Sequence, residues 1–370
     1  MNGKIRLSKS SISQLEKDAV LKVLDKEFLG MGEEVKLFEE KIKNYLQTNM
    51  QVVCVSTGTS ALHLALSALG LEKGDEVLVP SLTYVASYQA ISATGATPIS
   101  CEVDPNTLFI DPKDLESRIN KNTKAIMPVH YASNSSNMEE IYKIANKYNL
   151  RVVEDAAQAF GSLRDGKKVG QEGDILCFSF DGIKNITSGE GGAILSSDHD
   201  FIQKVQDGRL LGVEKDTEKR YSSQRSWDFD VNHQGYRYHM SNIMASIGIV
   251  QLDRIDEFKK KRASIVQRYL KELISIEEVE FLDFAYEEIM SHIFVIKVKK
   301  RDELRTYLLE NNIECGIHYK PNHLLSKYKI EYSLEKTENI YNEILTLPCH
   351  NDLTKEEQDL VIKKVKSFYG

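Results

Sequence analysis

The 370 residues carry 48 Lys and Arg against 55 Asp and Glu, a net charge of −7, with 41% hydrophobic and 28% charged residues. Those proportions describe a globular chain long enough for two domains, and no basic cluster stands out to argue for a nucleic-acid face. No run of about eighteen apolar residues argues for a membrane span, the polar start MNGKIRLSKSSISQLEK lacks a signal-peptide core, and five scattered cysteines without a CxxC argue for reduced buried thiols rather than a zinc site, so a cytoplasmic location is expected.

Helical periodicity covers residues 11–46 and breaks at Leu29-Gly30-Met31-Gly32. Strands then alternate with helices. The strands are QVVCVS (51–56), EVLVP (76–80), TPISCEV (97–103), KAIMPVHY (124–131), RVVEDA (151–156), DILCFSF (174–180) and GGAILSS (191–197). The helices lie at 59–69, 84–94 and 137–149. Near-continuous apolar strands suit burial on both faces. Their alternation with helices predicts an α/β fold with a mostly parallel seven-stranded sheet and right-handed crossovers. Residues 240–269 read as one long helical stretch leading out of this domain. Residues 278–370 read as a smaller α+β unit, with strands EVEFL and HIFVIKV and helices near 302–311 and 355–368. The expected division is a large domain over 1–255 and a small domain over 256–370, although no Pro/Gly linker marks it.

Polar residues gather at the strand ends. VCVSTGTSALHLAL closes a strand, turns through Ser-Thr-Gly-Thr-Ser and opens a helix. N–H groups and hydroxyls at such a start suit a phosphate, and Ser and Thr serve there equally as plain caps. VVEDAAQA (152–159) runs a strand into Glu154-Asp155, small residues and Gln158. Ligands of open α/β sheets sit at the carboxyl ends of strands. A buried Asp155 there needs a positive or hydrogen-bonding partner; the other reading is a helix cap. In CFSFDGIKNITSGEGGAILSSD (177–198), Ser179 and Lys184 follow a further strand. A lone loop lysine is ordinarily a solvated charge, but in a partly desolvated pocket its amine becomes a nucleophile toward carbonyls. Phosphate cradle, strand-end Asp, hydroxyl donor and strand-flanked Lys together are what pyridoxal 5'-phosphate requires.

With these residues in place, the sequence resembles the DegT/DnrJ-type sugar nucleotide aminotransferases, which use the fold-type I, aspartate aminotransferase-like scaffold. The matching motifs are STGTSALHLAL, GDEVLVPSLTYVAS, PVHYA, VVEDAAQAFGS, GDILCFSFDGIKNITSGEGGAI, GYRYHMSNIMASIGIVQL and GIHYKPNH, in family order over nearly the whole chain. The resemblance implies that Lys184 holds the cofactor covalently and shuttles a proton. It implies that Asp155 pairs with the pyridinium nitrogen, that Gln158 meets the ring hydroxyl side and that Tyr84 stacks on the ring. Gly58, Thr59 and Ser179 are implied to hold the phosphate. A homodimer is also implied, with sites at the subunit interface and an Asn crossing from the partner. Here the sequence departs: many members read GYNYRM where this chain has GYRYHM (235–240), so Arg237 and the upstream Asn232 are both candidates for that contact. For the substrate, the resemblance points to Met31 in the Gly30–Gly32 turn, to Asn185, and to His318, Tyr319, Lys320 and His323 of GIHYKPNH.

The implied reaction moves the amino group of L-glutamate onto a nucleotide-linked 4-keto-6-deoxyhexose, with dTDP-4-keto-6-deoxyglucose as the expected acceptor. The product would be a 4-amino-4,6-dideoxy sugar for an O-antigen or other surface glycan. A 3-keto acceptor is the alternative. A branch of the family that carries His in place of the lysine removes a hydroxyl instead, and Lys184 argues against that chemistry. A non-catalytic cofactor-binding regulator would be expected to lack Lys184 or Asp155, and both are present.

Overall fold

The computed structural model describes residues 3–370. Two helices come first, α1 (Gln14–Asp25) and α2 (Glu33–Leu46). The large unit follows with β1 (Gln51–Val55), α3 (Gly58–Ala68), β2 (Glu76–Pro80), α4 (Val85–Ala93), β3 (Thr97–Cys101), α5 (Pro112–Ser117), β4 (Thr123–Ile126), α6 (Met138–Tyr148) and β5 (Arg151–Asp155). A short hairpin, β6 (Leu163–Arg164) and β7 (Lys167–Lys168), leads to β8 (Ile175–Ser179), β9 (Gly192–Ser196), α7 (His199–Gly208) and α8 (Asp216–Tyr221). Then come α9 (Asn242–Asp253), α10 (Ile255–Leu273), β10 (Val279–Phe281), β11 (Phe294–Val298), α11 (Arg301–Glu310), α12 (Glu335–Glu343), β12 (Ile344–Leu347) and α13 (Lys355–Tyr369).

The seven expected strands form one sheet in the order β1-β9-β8-β5-β4-β2-β3. Only β9 runs antiparallel to its neighbours; the remaining pairs are parallel. Both faces are covered, as the apolar runs require. Phe38 and Ile42 of α2 pack with Phe160 and Phe178 on one side. Leu62 and Leu66 of α3 pack with Val53, Val79 and Ile194 on the other. Capping boxes start α1 (Ser13 with Glu16), α3 (Thr57 with Ser60) and α13 (Thr354 with Glu357), which fixes where each helix begins.

The stretch 240–269, read from sequence as one helix, divides at Arg254 into α9 and α10. Arg254 turns there to reach Glu16 at 2.7 Å, and no Gly or Pro announces the break. The small unit is an antiparallel sheet, β10-β11-β12, packed against α10, α11 and α13. Strand β12 was not expected, because its four residues follow α12 without a turn signal. Ile5 joins this small core, and Leu7 N–H donates to Glu314 at 3.0 Å. The contacts of residues 5–7 therefore lie with the unit expected to begin at 256. No helix among the described residues is long and apolar enough to cross a membrane.

Candidate active site

A cavity of about 580 Å³ opens where β5, β8 and the start of α3 converge. Successive residues of a strand face opposite ways, and β5 uses this. Glu154 turns away to bond Tyr142 Oη at 2.6 Å and Arg164 Nη1 at 2.9 Å. Asp155 faces the cavity, 5% exposed. Its Oδ2 accepts from Ser87 Oγ at 2.7 Å and its Oδ1 from Ala157 N–H at 3.2 Å. Burial pushes its carboxyl above the ordinary value, against those two donors and the Lys184 ammonium.

Lys184 sits in the turn after β8, with its N–H donated to Asp181 O at 3.0 Å. Its side chain opens onto the cavity and is otherwise walled in by protein. Burial lowers its pKa below the ordinary lysine value, while Asp155 and Asp181 pull the other way. The amine is thereby brought closer to its nucleophilic, unprotonated form.

At the opposite wall, the N-cap Thr57 accepts from Ser60 N–H at 2.9 Å, and Thr57 O accepts from Ala61 N–H at 3.1 Å. Gly58 and Thr59 are the next two residues of a helix start, whose N–H groups lack intrahelical partners. Both line the cavity beside Ser179. A Cβ on Gly58 would lie 2.7 Å from Ser179 Cβ, so only glycine lets α3 and β8 approach this closely.

Gln158 is held at both ends: Oε1 accepts from Ala132 N–H at 2.8 Å, and Nε2 donates to Tyr319 Oη at 3.2 Å. Tyr84 is 57% exposed at the cavity mouth, its ring 5.6 Å from that of Tyr319. His318 also lines the cavity. Its Nδ1 lies 2.8 Å from Thr346 Oγ1, and burial together with Lys184 brings its pKa down to about 4.

Lys184, Gly58, Thr59, Tyr84, Asp155, Gln158, Ser179, His318 and Tyr319 thus share one cavity. Met31, Asn185 and His323 were expected at the substrate and do not reach it. Met31 is buried in the core beside α2. Asn185 Nδ2 donates to Phe160 O and Met290 O, at 2.9 and 2.8 Å. His323 Nδ1 bonds Ser81 Oγ at 2.6 Å. Each is engaged by its own chain. Lys320 is exposed outside the cavity walls, and Asn232 and Arg237 are exposed on the segment after α8.

The sequence reading missed His292, Thr83 and Ser87. His292 lines the cavity and is 4% exposed, with Nδ1 unpartnered. Burial, then the Lys184 charge, holds it well below the ordinary histidine value. As the first residue of HIFVIKV it looked like a strand residue, and Thr83 and Ser87 lay inside what read as a turn and helix. A histidine heading a buried strand of the small unit is the signal that was available.

These residues fit pyridoxal phosphate on the structure's own terms: a glycine cradle that a Cβ would fill, a buried carboxylate and a walled-in amine across one cavity. The fold and this site define a pyridoxal phosphate-dependent aminotransferase of fold type I. The model of the DegT/DnrJ/EryC1/StrS aminotransferase family matches residues 10–366, and the chain belongs to that family. It is 36% identical over 366 residues to GDP-perosamine synthase of Escherichia coli O157:H7, covering 97% of each chain. Among solved structures it is similar to the aminotransferase TlmJ from Streptoalloteichus hindustanus, at a TM-score of 0.92 and 30% identity over 98% of both chains. The PLP-form of the putative sugar aminotransferase Spr1654 from Streptococcus pneumoniae superimposes at a TM-score of 0.91 and 29% identity, again over 98% of both.

Proposed function

We propose that this protein is a sugar aminotransferase that moves the amino group of L-glutamate to C4 of a nucleotide-linked 4-keto-6-deoxyhexose. The observation that carries the acceptor is the 36% identity, along 97% of both chains, to a protein named GDP-perosamine synthase; perosamine is a 4-amino-4,6-dideoxy sugar. That name supports a GDP-linked acceptor, whereas the sequence reading favoured dTDP-4-keto-6-deoxyglucose, and the two are separate arms of the test.

When bound, pyridoxal phosphate supplies the electron sink that lets an amino group leave one carbon skeleton for another. The chain's own residues do the rest. The N–H groups of Gly58 and Thr59 and the Ser179 hydroxyl would hold the phosphate. Asp155 would face the ring nitrogen, Gln158 the ring hydroxyl and Tyr84 a ring face. Lys184 Nζ would hold the cofactor and carry a proton between the two carbons, a role its lowered pKa supports.

A homodimer belongs to this proposal. The cavity walls carry Asp155, Asp181 and Glu190 against Lys184. Phosphate, nucleoside diphosphate and glutamate are all anions, so further cations must enter from beyond these walls. Arg237, exposed on the segment after α8, would supply such a cation from a second copy, and Asn232 on the same segment a neutral amide donor.

The test is a spectrum of the purified protein loaded with pyridoxal phosphate, recorded before and after L-glutamate. Keto-sugars linked to dTDP or GDP, with the keto group at C3 or C4, follow. Bleaching of the cofactor band by glutamate and its return with one 4-keto sugar is the expected result. Return only with a 3-keto sugar overturns the C4 assignment, and a band indifferent to glutamate overturns amino transfer.

A further inference from the structure

We infer that Thr83 and Ser87 form a hydroxyl relay, Thr83 O–H to Ser87 O–H to Asp155 Oδ2, which positions the Asp155 carboxylate toward the bound cofactor; this rests on the reading that Asp155 faces the ring nitrogen.

Three observations support it. Ser87 is fully buried in the first turn of α4, and its Oγ lies 2.7 Å from Asp155 Oδ2. An ionised carboxylate only accepts, so Ser87 donates along this contact. Thr83 Oγ1 lies 3.0 Å from Ser87 Oγ. With the Ser87 proton committed to Asp155, Thr83 is the donor of that second bond. Thr83 is 2% exposed and lines the cavity itself. Bonds in such a chain polarise one another and strengthen the last one.

The residues carrying the relay are in turn fixed from the small unit. Asn322, wholly buried, donates Nδ2 to Ser81 O at 3.1 Å and to Thr83 O at 2.8 Å. His323 Nδ1 holds Ser81 Oγ, and its Nε2 lies 3.2 Å from Glu338 Oε1. The expected substrate histidine is therefore a clamp on the loop that aims Thr83. The other titratable groups around Asp155 are Lys184 after β8, His130 after β4, Cys177 on β8 and Tyr319 from the small unit. Among these groups none bonds Asp155 Oδ2; the hydroxyl that does so is Ser87.

Ser87 and Thr83 are positioning residues, acting on the cofactor through Asp155. The test measures the dissociation constant of pyridoxal phosphate and the pH dependence of the bound cofactor's absorption in Ser87→Ala, Thr83→Val, the double variant and Asp155→Asn. Loss of a hydrogen bond to a buried charge predicts cofactor binding roughly tenfold or more weaker in Ser87→Ala. It also predicts an upward shift in the pH at which the absorption titrates, because the carboxylate loses a donor. Thr83→Val keeps the shape of the side chain and should move both readouts the same way by less. The double variant should match Ser87→Ala alone, since the relay has one outlet; separate packing defects would add. Wild-type affinity and pH profile in Ser87→Ala, or additive effects in the double variant, would overturn the relay. Should Ser87→Ala fail to fold, an unshifted pH profile in Thr83→Val overturns it alone. If Asp155→Asn leaves affinity and spectrum unchanged, the underlying reading of Asp155 fails instead, and the relay with it.

Discussion

At the scale of single residues, the proposed chemistry depends on one amine. Lys184 lies in a turn that a sequence alone would class as solvated, yet the cavity walls it in and lowers its pKa. Lys184→Ala is expected to reduce amino transfer by about 10³-fold or more, the scale of a lost acid–base group. Lys184→Arg keeps the charge but not the ability to shed a proton, and should be as inactive in single-turnover assays. Substantial transfer by the arginine variant would remove Lys184 as the proton carrier. The pH dependence has a definite sign. Activity needs the unprotonated amine, so the rate falls as pH drops through the Lys184 pKa, and burial places that limb below the ordinary lysine value. Asp155 and Ser179 were legible in sequence because each ends a recognisable strand, and Lys184 because it lies between two strands, in the turn that follows Ser179. His292 and Ser87 were not, because burial and orientation alone distinguish them from packing residues. His323 misled for the converse reason: a histidine in a site motif can point into protein, and this one bonds Ser81.

At the scale of elements, one junction builds the site and another ties the N-terminal helix to the rest of the chain. The first is the meeting of β1–α3 with β8. Gly58→Ala places a methyl 2.7 Å from Ser179 Cβ and 3.3 Å from Ser179 Cα, too near the backbone for a rotamer change to relieve. The start of α3 must then move off, and its N–H groups move with it. Cofactor affinity is expected to fall by roughly tenfold while far-UV circular dichroism stays native; unchanged affinity would show that the cradle tolerates displacement. The second junction joins α1 to α9 and α10. Glu16 is buried and accepts from Ser13 N–H, Gln251 Nε2 and Arg254 Nη1, each at 2.7 Å. Burial alone would raise its carboxyl, but these donors hold it at about 2. A depressed folded-state value means stability present above the unfolded pKa and lost as pH falls toward 2. Glu16→Gln should cost about 2 kcal/mol at neutral pH. That difference should shrink below pH ~4.3 and vanish near the folded value. A pH-independent difference in denaturant titrations would contradict the ion-paired account. Strand existence was legible throughout the large sheet, since buried parallel strands announce themselves as apolar runs. The break at Arg254 was not, because a side chain reaching Glu16 does there what Gly or Pro does elsewhere.

At the scale of the whole molecule, the described chain leaves one feature without a partner. The segment after α8 carries Trp227 at 86% exposure, with Phe229 and Val231 also exposed nearby. Arg237 closes the same segment, its backbone bridged to Leu210. Apolar side chains grouped this way mark an interaction surface, and Arg237 on the same segment is a cation of the kind the acidic cavity walls need. In the proposed homodimer this segment packs on a second copy and carries Arg237 or Asn232 toward its phosphate site. Trp227 is the sole tryptophan of the chain, so its fluorescence reports this contact directly. At micromolar concentration the emission should resist iodide quenching. Dilution should raise quenching in step with the fall in mass seen by light scattering. Trp227→Ala removes a central aromatic anchor and should weaken association by tenfold or more, and cofactor affinity should fall with it because the phosphate contacts leave together with the partner. If Trp227 is quenched like free indole at every concentration, and the variant keeps its mass and its cofactor, the segment is no interface. The missing cations would then have to reach the cavity from this chain's own small unit, with Lys320 as the nearest in sequence to its walls.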